Sequence, residues 1–237
     1  MAAPAIQAVG TGVGASGAAG SPNWPSHVAD DWGVLLVVTA NEAITLSTPA
    51  GFSELATYSP QSTGAAGGAT NASVRLAVFL CKATSGAMGA PTVANPGNHS
   101  WSVIFTVRGA DLTTPYDVAN GSVEASQVSG AGLTVAPAVV TTGVDRLVVA
   151  IVAEGQGNGN QFTTWANADL AGVNESFDTG TSAGSNSGAA VAYGTKATAG
   201  SVGAWTATKS SASALASITI AFKPPIVTTA LAGRIRV

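Results

Sequence analysis

The chain has 237 residues, of which 46% are apolar and only 9% are charged, and its net charge is −3. Its nine Lys and Arg form no basic stripe, which argues against nucleic-acid binding and against attraction to anionic membranes. We expect no membrane span and no signal peptide, because no run of about 18 apolar residues occurs and the N-terminus lacks a basic start. Cys81 is alone, which excludes an intramolecular disulfide.

Strand-like segments recur along the whole chain, whereas no sustained helical stripe of apolar residues occurs. Some of these segments are continuous apolar runs, typical of strands covered on both faces, and others alternate. Gly/Ser/Asn-rich tracts at 59–71 and 178–188 predict long loops between them. In chain order, the predicted strands are 33–39, 43–47, 74–82, 101–108, 146–153, 189–196, 203–208 and 216–223.

An internal repeat connects three of these strands to three later ones at one shared spacing of 114 residues. The sharpest match is Lys82-Ala-Thr-x-Gly with Lys196-Ala-Thr-x-Gly; the other two are 31–38 with 145–152 and 101–109 with 215–223. Each half could be a complete sandwich, or both halves could supply strands to one sandwich. We favour the second interpretation, because four or five strands are few for an independent core. The predicted fold is an all-β antiparallel β-sandwich of jelly-roll type, built from two pseudo-repeated halves.

The repeat also divides the chain into segments. Residues 1–29 are predicted as an Ala/Gly-rich arm, 30–223 as the sandwich with pseudo-repeats 30–115 and 144–223, and 224–237 as an extended arm. In the last segment charged and apolar residues alternate at Arg234, Ile235, Arg236 and Val237. This tail could add as a strand to the edge of a neighbouring subunit, or it could be a frayed end.

The sequence offers little catalytic chemistry. The chain has two histidines, His27 and His99, but no Gly-x-Ser-x-Gly motif that would present a nucleophilic serine. The acidic residues mostly lie beside predicted turns. We therefore predict no enzyme activity, no catalytic residue, no cofactor and no metal, with a calcium site near 169–178 as an open alternative. Trp165 and Trp205 lie in or beside predicted loops and are candidates for stacking on a glycan.

Several short sequence segments, taken in chain order, resemble a known family of modules. They are the strand 32–38, the turn Thr48-Pro-Ala-Gly-Phe52, the strand 75–82 with its Ala-Thr-x-Gly turn, and Arg108-Gly-Ala-Asp111 followed by Pro115-Tyr-Asp117. This order resembles a module recurrent in tailed-bacteriophage virion proteins, both capsid-associated and tail-associated, over roughly residues 30–223. The second half departs from the pattern, with Thr163-Thr-Trp-Ala166 in place of Thr-Pro-Ala-Gly and Phe222-Lys223 in place of Arg108-Gly109.

The resemblance implies a β-sandwich with a structural role in a virion assembled in the host cytoplasm. The leading expectation is a capsid decoration or cement protein, a homo-oligomer whose partners are the major capsid protein or other virion proteins. The low charge and small side chains suit a surface that packs against protein, because such side chains lose little entropy when they are buried. The alternative is a tail fibre or receptor-binding protein that contacts glycan.

Overall fold

A computed structural model gives the fold and describes residues 2–15, 20–40, 46–55, 74–94, 100–155, 161–181 and 187–225. These residues form strands and no helix. The strands are β1 (Ala5–Val9), β2 (Val13–Ala15), β3 (Trp32–Ala40), β4 (Ser53–Glu54), β5 (Val74–Lys82), β6 (Ser100–Arg108), β7 (Tyr116–Gln127), β8 (Gly130–Ala136), β9 (Val139–Thr141), β10 (Arg146–Glu154), β11 (Phe162–Ala166), β12 (Ala171–Thr181), β13 (Ser187–Lys196), β14 (Gly200–Val202), β15 (Trp205–Lys209) and β16 (Ser213–Phe222).

The strands form two large antiparallel sheets and two small ones. The first sheet has the order β1-β6-β3-β5-β4, with β2 also paired to β6. The second has the order β12-β13-β10-β16-β7. A three-stranded sheet, β11-β15-β8, and the pair β14-β9 complete the described structure.

The two large sheets pack face to face and share one core. Apolar side chains from β3, β5 and β6 meet those from β10, β13 and β16 in a single buried cluster, in which Leu36 and Ile151 are both 0% exposed. The far face of the second sheet packs on the three-stranded sheet around Trp205 and Phe162. The far face of the first sheet is covered by Leu46, Val93, Trp24 and Phe52. Because the central strands are covered on both faces, their sequences are nearly continuous apolar runs.

The sequence repeat corresponds to a repeat of strand pairing. Trp32 on β3 pairs with Lys82 on β5, and Arg146 on β10 pairs with Lys196 on β13. Each member of the second pair therefore follows its counterpart in the first by 114 residues. In each half the first strand lies at the centre, between the other two. The repeated sequence therefore encodes a repeated three-stranded unit with the same register between its first two strands.

The two units nevertheless bury opposite faces in the shared core. Val78 faces the shared core, whereas Ala192, its counterpart 114 residues later, faces the three-stranded sheet. The repeated aromatic position behaves likewise, because Tyr193 packs on the shared core and Phe79 lies on the far face of the first sheet. The units thus stack head to tail, since one face of the first unit meets the other face of the second.

The predicted all-β antiparallel sandwich with two pseudo-repeated halves is confirmed, and jelly-roll connectivity stays a prediction. The shared core agrees with the interpretation in which both halves supply strands to one sandwich. Three expectations need correction. The predicted N-terminal arm places β1 and β2 in the first sheet, β12 and β13 extend into the predicted loop 178–188, and residues 46–47 form no strand. Residues 43–45 and the loop 59–71 lie outside the described residues.

Candidate functional site

His27 is a structural residue in this fold. Its Nδ1 donates to the carbonyl of Pro25 at 2.7 Å, and its Nε2 accepts from the backbone N–H of Met88 at 3.2 Å. Its ring also packs on Trp24, with 4.9 Å between the ring centroids. Both ring nitrogens are therefore engaged, which leaves neither to act as a base. His99 lies outside the described residues.

Asp31 is a buried clamp at the start of the first repeat. Both of its carboxylate oxygens accept from Arg108 at 2.8 Å, and one of them also accepts from the backbone N–H of Val28. Burial acts to raise the pKa of Asp31, but the Arg108 hydrogen bond, the Val28 hydrogen bond and the Arg108 charge lower it overall. Asp31 thus joins β6 to the residues that precede β3, which is a structural role.

A second clamp joins β7 to β10. Asp117 accepts from Arg146 at 2.9 Å and from the backbone N–H and the hydroxyl of Thr142. Burial acts to raise the pKa of Asp117, and the hydrogen bonds from Thr142 and Arg146 outweigh it, so the pKa falls below its ordinary value. Both charged side chains are largely buried, with exposures of 11% for Arg146 and 7% for Asp117. This clamp fixes the long edge strand β7 to the centre of its sheet.

The most unusual chemical group in the described structure is a fully buried ion pair, Lys209 with Glu154. The Lys209 Nζ donates to Glu154 Oε2 at 2.9 Å, and the two side chains are 0% and 1% exposed. The same amine donates to the carbonyl of Ser211 and lies 5.3 Å from the centroid of the Phe162 ring. The Ser213 hydroxyl donates to Glu154 Oε2 at 3.4 Å. The pair therefore joins the last residue of β10 to the last residue of β15, across two layers.

Asp178 adds a second carboxyl group to this cluster. Its Oδ2 accepts from the backbone N–H of Phe162 at 2.6 Å. Burial raises the pKa of Asp178 to about 6, against the opposing Phe162 hydrogen bond. Burial likewise raises the pKa of Glu154 to about 7, although the charge of Lys209 opposes it and that of Asp178 adds to it. Both carboxyl groups therefore titrate closer to neutral pH than an ordinary carboxyl group does.

The two tryptophans proposed for glycan stacking have different environments. Trp205 is 0% exposed inside the core between the second and third sheets, so burial removes it from the candidates. Trp165 is half-buried, packs edge-on against Trp205, and donates from its Nε1 to Glu175 Oε2 at 2.8 Å. Thr164, at φ +53°, forms the irregularity in β11 just before it. The structure leaves Trp165 alone as a candidate for stacking on a sugar.

Exposed apolar side chains mark two surfaces. Val28 and Leu112, 50% and 44% exposed, border a shallow apolar depression that Pro225 also lines. Val123 and Val128, 48% and 60% exposed, lie in and just after β7. Among the described strands β7 pairs only with β16, so no described strand is paired to its other edge, although the Asn120 side chain on β7 donates to the carbonyl of Ala138 just before β9. The tail residues Arg234, Ile235, Arg236 and Val237 lie outside the described residues.

The acidic residues near the suggested calcium site have other partners. Asp169 accepts from the backbone N–H of Gly203 at 2.7 Å, and Asp178 accepts from Phe162. Within the described ranges, no group of three or more His, Cys, Asp or Glu side chains is arranged to hold a metal ion. The same part of the chain contains no helix long and apolar enough to cross a membrane.

The sequence did not point to Lys209 and Glu154, although a signal for Lys209 was present. Trp205, Ala207 and Lys209 alternate with threonines along β15, and alternation places all three on the buried face. Glu154 ends an apolar run in which every residue is buried.

A comparison of the chain with protein-family models, curated proteins and solved structures finds no match.

Proposed function

We propose that this chain is a bacteriophage virion structural protein, a capsid decoration protein that binds the assembled shell. The observation that carries the proposal is the open edge of β7. This strand is twelve residues long and has no strand paired to one of its edges among the described residues. Its Val123 is exposed, and so is Val128 directly after it. A long edge of this kind is a template for pairing with an extended segment of another chain.

The rest of the molecule supports a binding role rather than a chemical one. The clamps at Asp31 and Asp117 hold the scaffold together, and both nitrogens of His27 are occupied. The faces of the two large sheets are covered, which leaves edges as the natural contacts. A surface with few charges and many small side chains can be buried against a shell at little entropic cost.

A tail-associated, glycan-binding protein is the second candidate, because Trp165 is half-exposed beside the exposed Thr163 and Glu175. One aromatic ring is a small platform, since its indole N–H is already bound to Glu175 and one edge contacts Trp205. The open β7 edge therefore supports decoration more strongly.

Labelling of purified particles of the phage that carries this gene tests the proposal. An antibody against the chain should label the whole shell, and label confined to one vertex would refute decoration in favour of the tail. Shells stripped of the protein should rebind it, and Val123→Lys should lower the bound copies about tenfold, because a charge on the edge opposes strand pairing.

Val28→Lys is the matched control. Val28 is 50% exposed, much like Val123, but it borders the depression lined by Pro225 and lies outside β7, so this variant should bind stripped shells like the wild type. Equal binding by both lysine variants and the wild type would refute the assignment of the β7 edge.

A further inference from the structure

The buried pair Lys209 and Glu154 is an unusual arrangement for two ordinary ionic side chains. Neither side chain reaches solvent, and the amine lies 2.9 Å from the carboxylate oxygen. Removing two charges from water is expensive, and a single ion pair repays that expense only in part. A reaction that turns the two charged groups into one neutral group would remove this penalty.

We propose that Lys209 and Glu154 become joined by an intramolecular isopeptide bond, with Asp178 as the proton-transfer residue. The bond forms between Nζ of Lys209 and Cδ of Glu154. It would connect the ends of β10 and β15, and so tie the second sheet covalently to the three-stranded sheet. This inference does not depend on the proposed virion role.

The geometry supplies what an amide condensation needs. Nζ touches Oε2, so the carboxyl carbon one bond further on lies within about 3–4 Å of the amine, near the separation of a productive encounter. The backbone carbonyl of Ser211 holds the amine, and the Ser213 hydroxyl holds Oε2. Both reactants are thus fixed by the fold, which replaces a reaction between two molecules by one within a single molecule.

The surroundings favour a neutral carboxyl group on Glu154. The site is closed to solvent, and the Phe162 ring lies 5.3 Å from Nζ. Burial raises the pKa of Glu154 to about 7, which is the direction required for the carboxyl group to hold a proton. The ammonium of Lys209 can pass that proton to Glu154 along the hydrogen bond that already joins them.

The steps balance without any added reactant. After the proton moves from Lys209 to Glu154, the lone pair of the neutral amine attacks Cδ and the new C–N bond forms. The nitrogen gives a proton to the Asp178 carboxylate, which returns it to the departing hydroxyl as the C–O bond breaks. One ammonium and one carboxylate become one amide and one water molecule. Asp178 is near enough to interact electrostatically with both partners.

The intact mass of the purified, folded protein tests this proposal. We expect a mass lower by one water molecule than the mass calculated from the sequence. The variant Lys209→Arg keeps the charge but cannot form the bond, so its mass should show no deficit relative to its sequence. A folded wild-type protein without the deficit would overturn the proposal.

A tryptic digest of the wild type locates the bond without a variant. Cleavage after Lys209 should fail, and residues 147–196 should be recovered as a branched peptide joined to 197–234, because the bond between Lys223 and Pro224 resists trypsin. Separate peptides 197–209 and 210–234 would refute the bond. Asp178→Asn should slow the mass loss at least tenfold, and an unchanged rate would exclude Asp178 as the proton-transfer residue.

Discussion

Replacing Ile151 by alanine tests whether the two halves form one cooperative unit. Ile151 lies at the centre of β10 and is 0% exposed in the core that both halves share. The change removes three carbon atoms, worth about 0.8 kcal/mol each, and leaves a cavity that adds to the loss. We expect the free energy of unfolding to fall by about 3 kcal/mol and the melting temperature by about 6–12 °C.

Hydrogen exchange on β3 gives the decisive measurement, because β3 belongs to the other half of the repeat. If one core joins the halves, the Ile151→Ala change on β10 should accelerate the slowest exchanging amides of β3 by about 100-fold, the kinetic equivalent of about 3 kcal/mol. Val140→Ala, at a site that is 61% exposed, should leave β3 unchanged. Normal protection of β3 in the Ile151→Ala variant would refute the shared core.

Two further substitutions test local features, both by urea denaturation. Asp117→Asn leaves the buried Arg146 without its counter-charge and should destabilise the protein by about 2–4 kcal/mol at about pH 7. Burial acts to raise the pKa of Asp117, but hydrogen bonds from a neighbouring threonine and Arg146 lower it overall, so its stabilisation is present above about pH 4 and is lost on acidification. The gap between wild type and Asn variant should therefore shrink at about pH 3, and a constant gap would contradict this. Gly33→Ala places a Cβ 2.3 Å from the Trp24 ring and should cost about 1–3 kcal/mol, whereas Gly89→Ala meets open space and should change stability little. Equal midpoints for the two glycine variants would refute the close packing of Trp24.

The central strands could be read from the sequence because their apolar runs are strong signals. β5 matches its predicted bounds, and β3, β6, β10, β13 and β16 differ from theirs by one to three residues at their ends. Each is buried on both faces, so nearly every position is apolar and no solvent-facing alternation weakens the signal. The structure then shows that the first strand of each half pairs with the second in the same register, which the repeat alone did not predict.

The outer strands could not be read in the same way. β7 and β12 contain Gly, Asn, Asp and Ser, and β8 contains two glycines; these residue types are depleted in strands and typical of turns. These strands lie at the edges of sheets or in the outer layer, where polar side chains reach solvent. Their strand conformation follows from pairing with β16, β15 and β13, which a local pattern cannot contain.

The Lys209 cluster shows a different limit of sequence analysis. Alternation along β15 predicts that Lys209 faces inward, but it cannot predict which acid meets it there. Glu154 is 55 residues away in sequence, and Asp178 comes from a third strand whose existence the sequence did not indicate. Trp205 shares that buried face, which explains why a tryptophan beside a predicted loop cannot stack on a glycan.

The head-to-tail stacking of the two units has a consequence for binding. One face of the first unit meets the opposite face of the second, so each unit has one more face outside the shared core. Further copies could stack on those two faces in the same way. Both remaining faces are covered, one by the sheet β11-β15-β8 and the other by side chains such as Trp24 and Phe52. Growth by face stacking is therefore blocked, as terminal caps block it in repeat proteins. Among the described residues, one edge of β7 has no paired strand, and Val123 on this strand is exposed. If the protein has the proposed decoration role, we expect it to join its partner by strand pairing at β7, so a partner found to contact only the sheet faces would contradict that proposal.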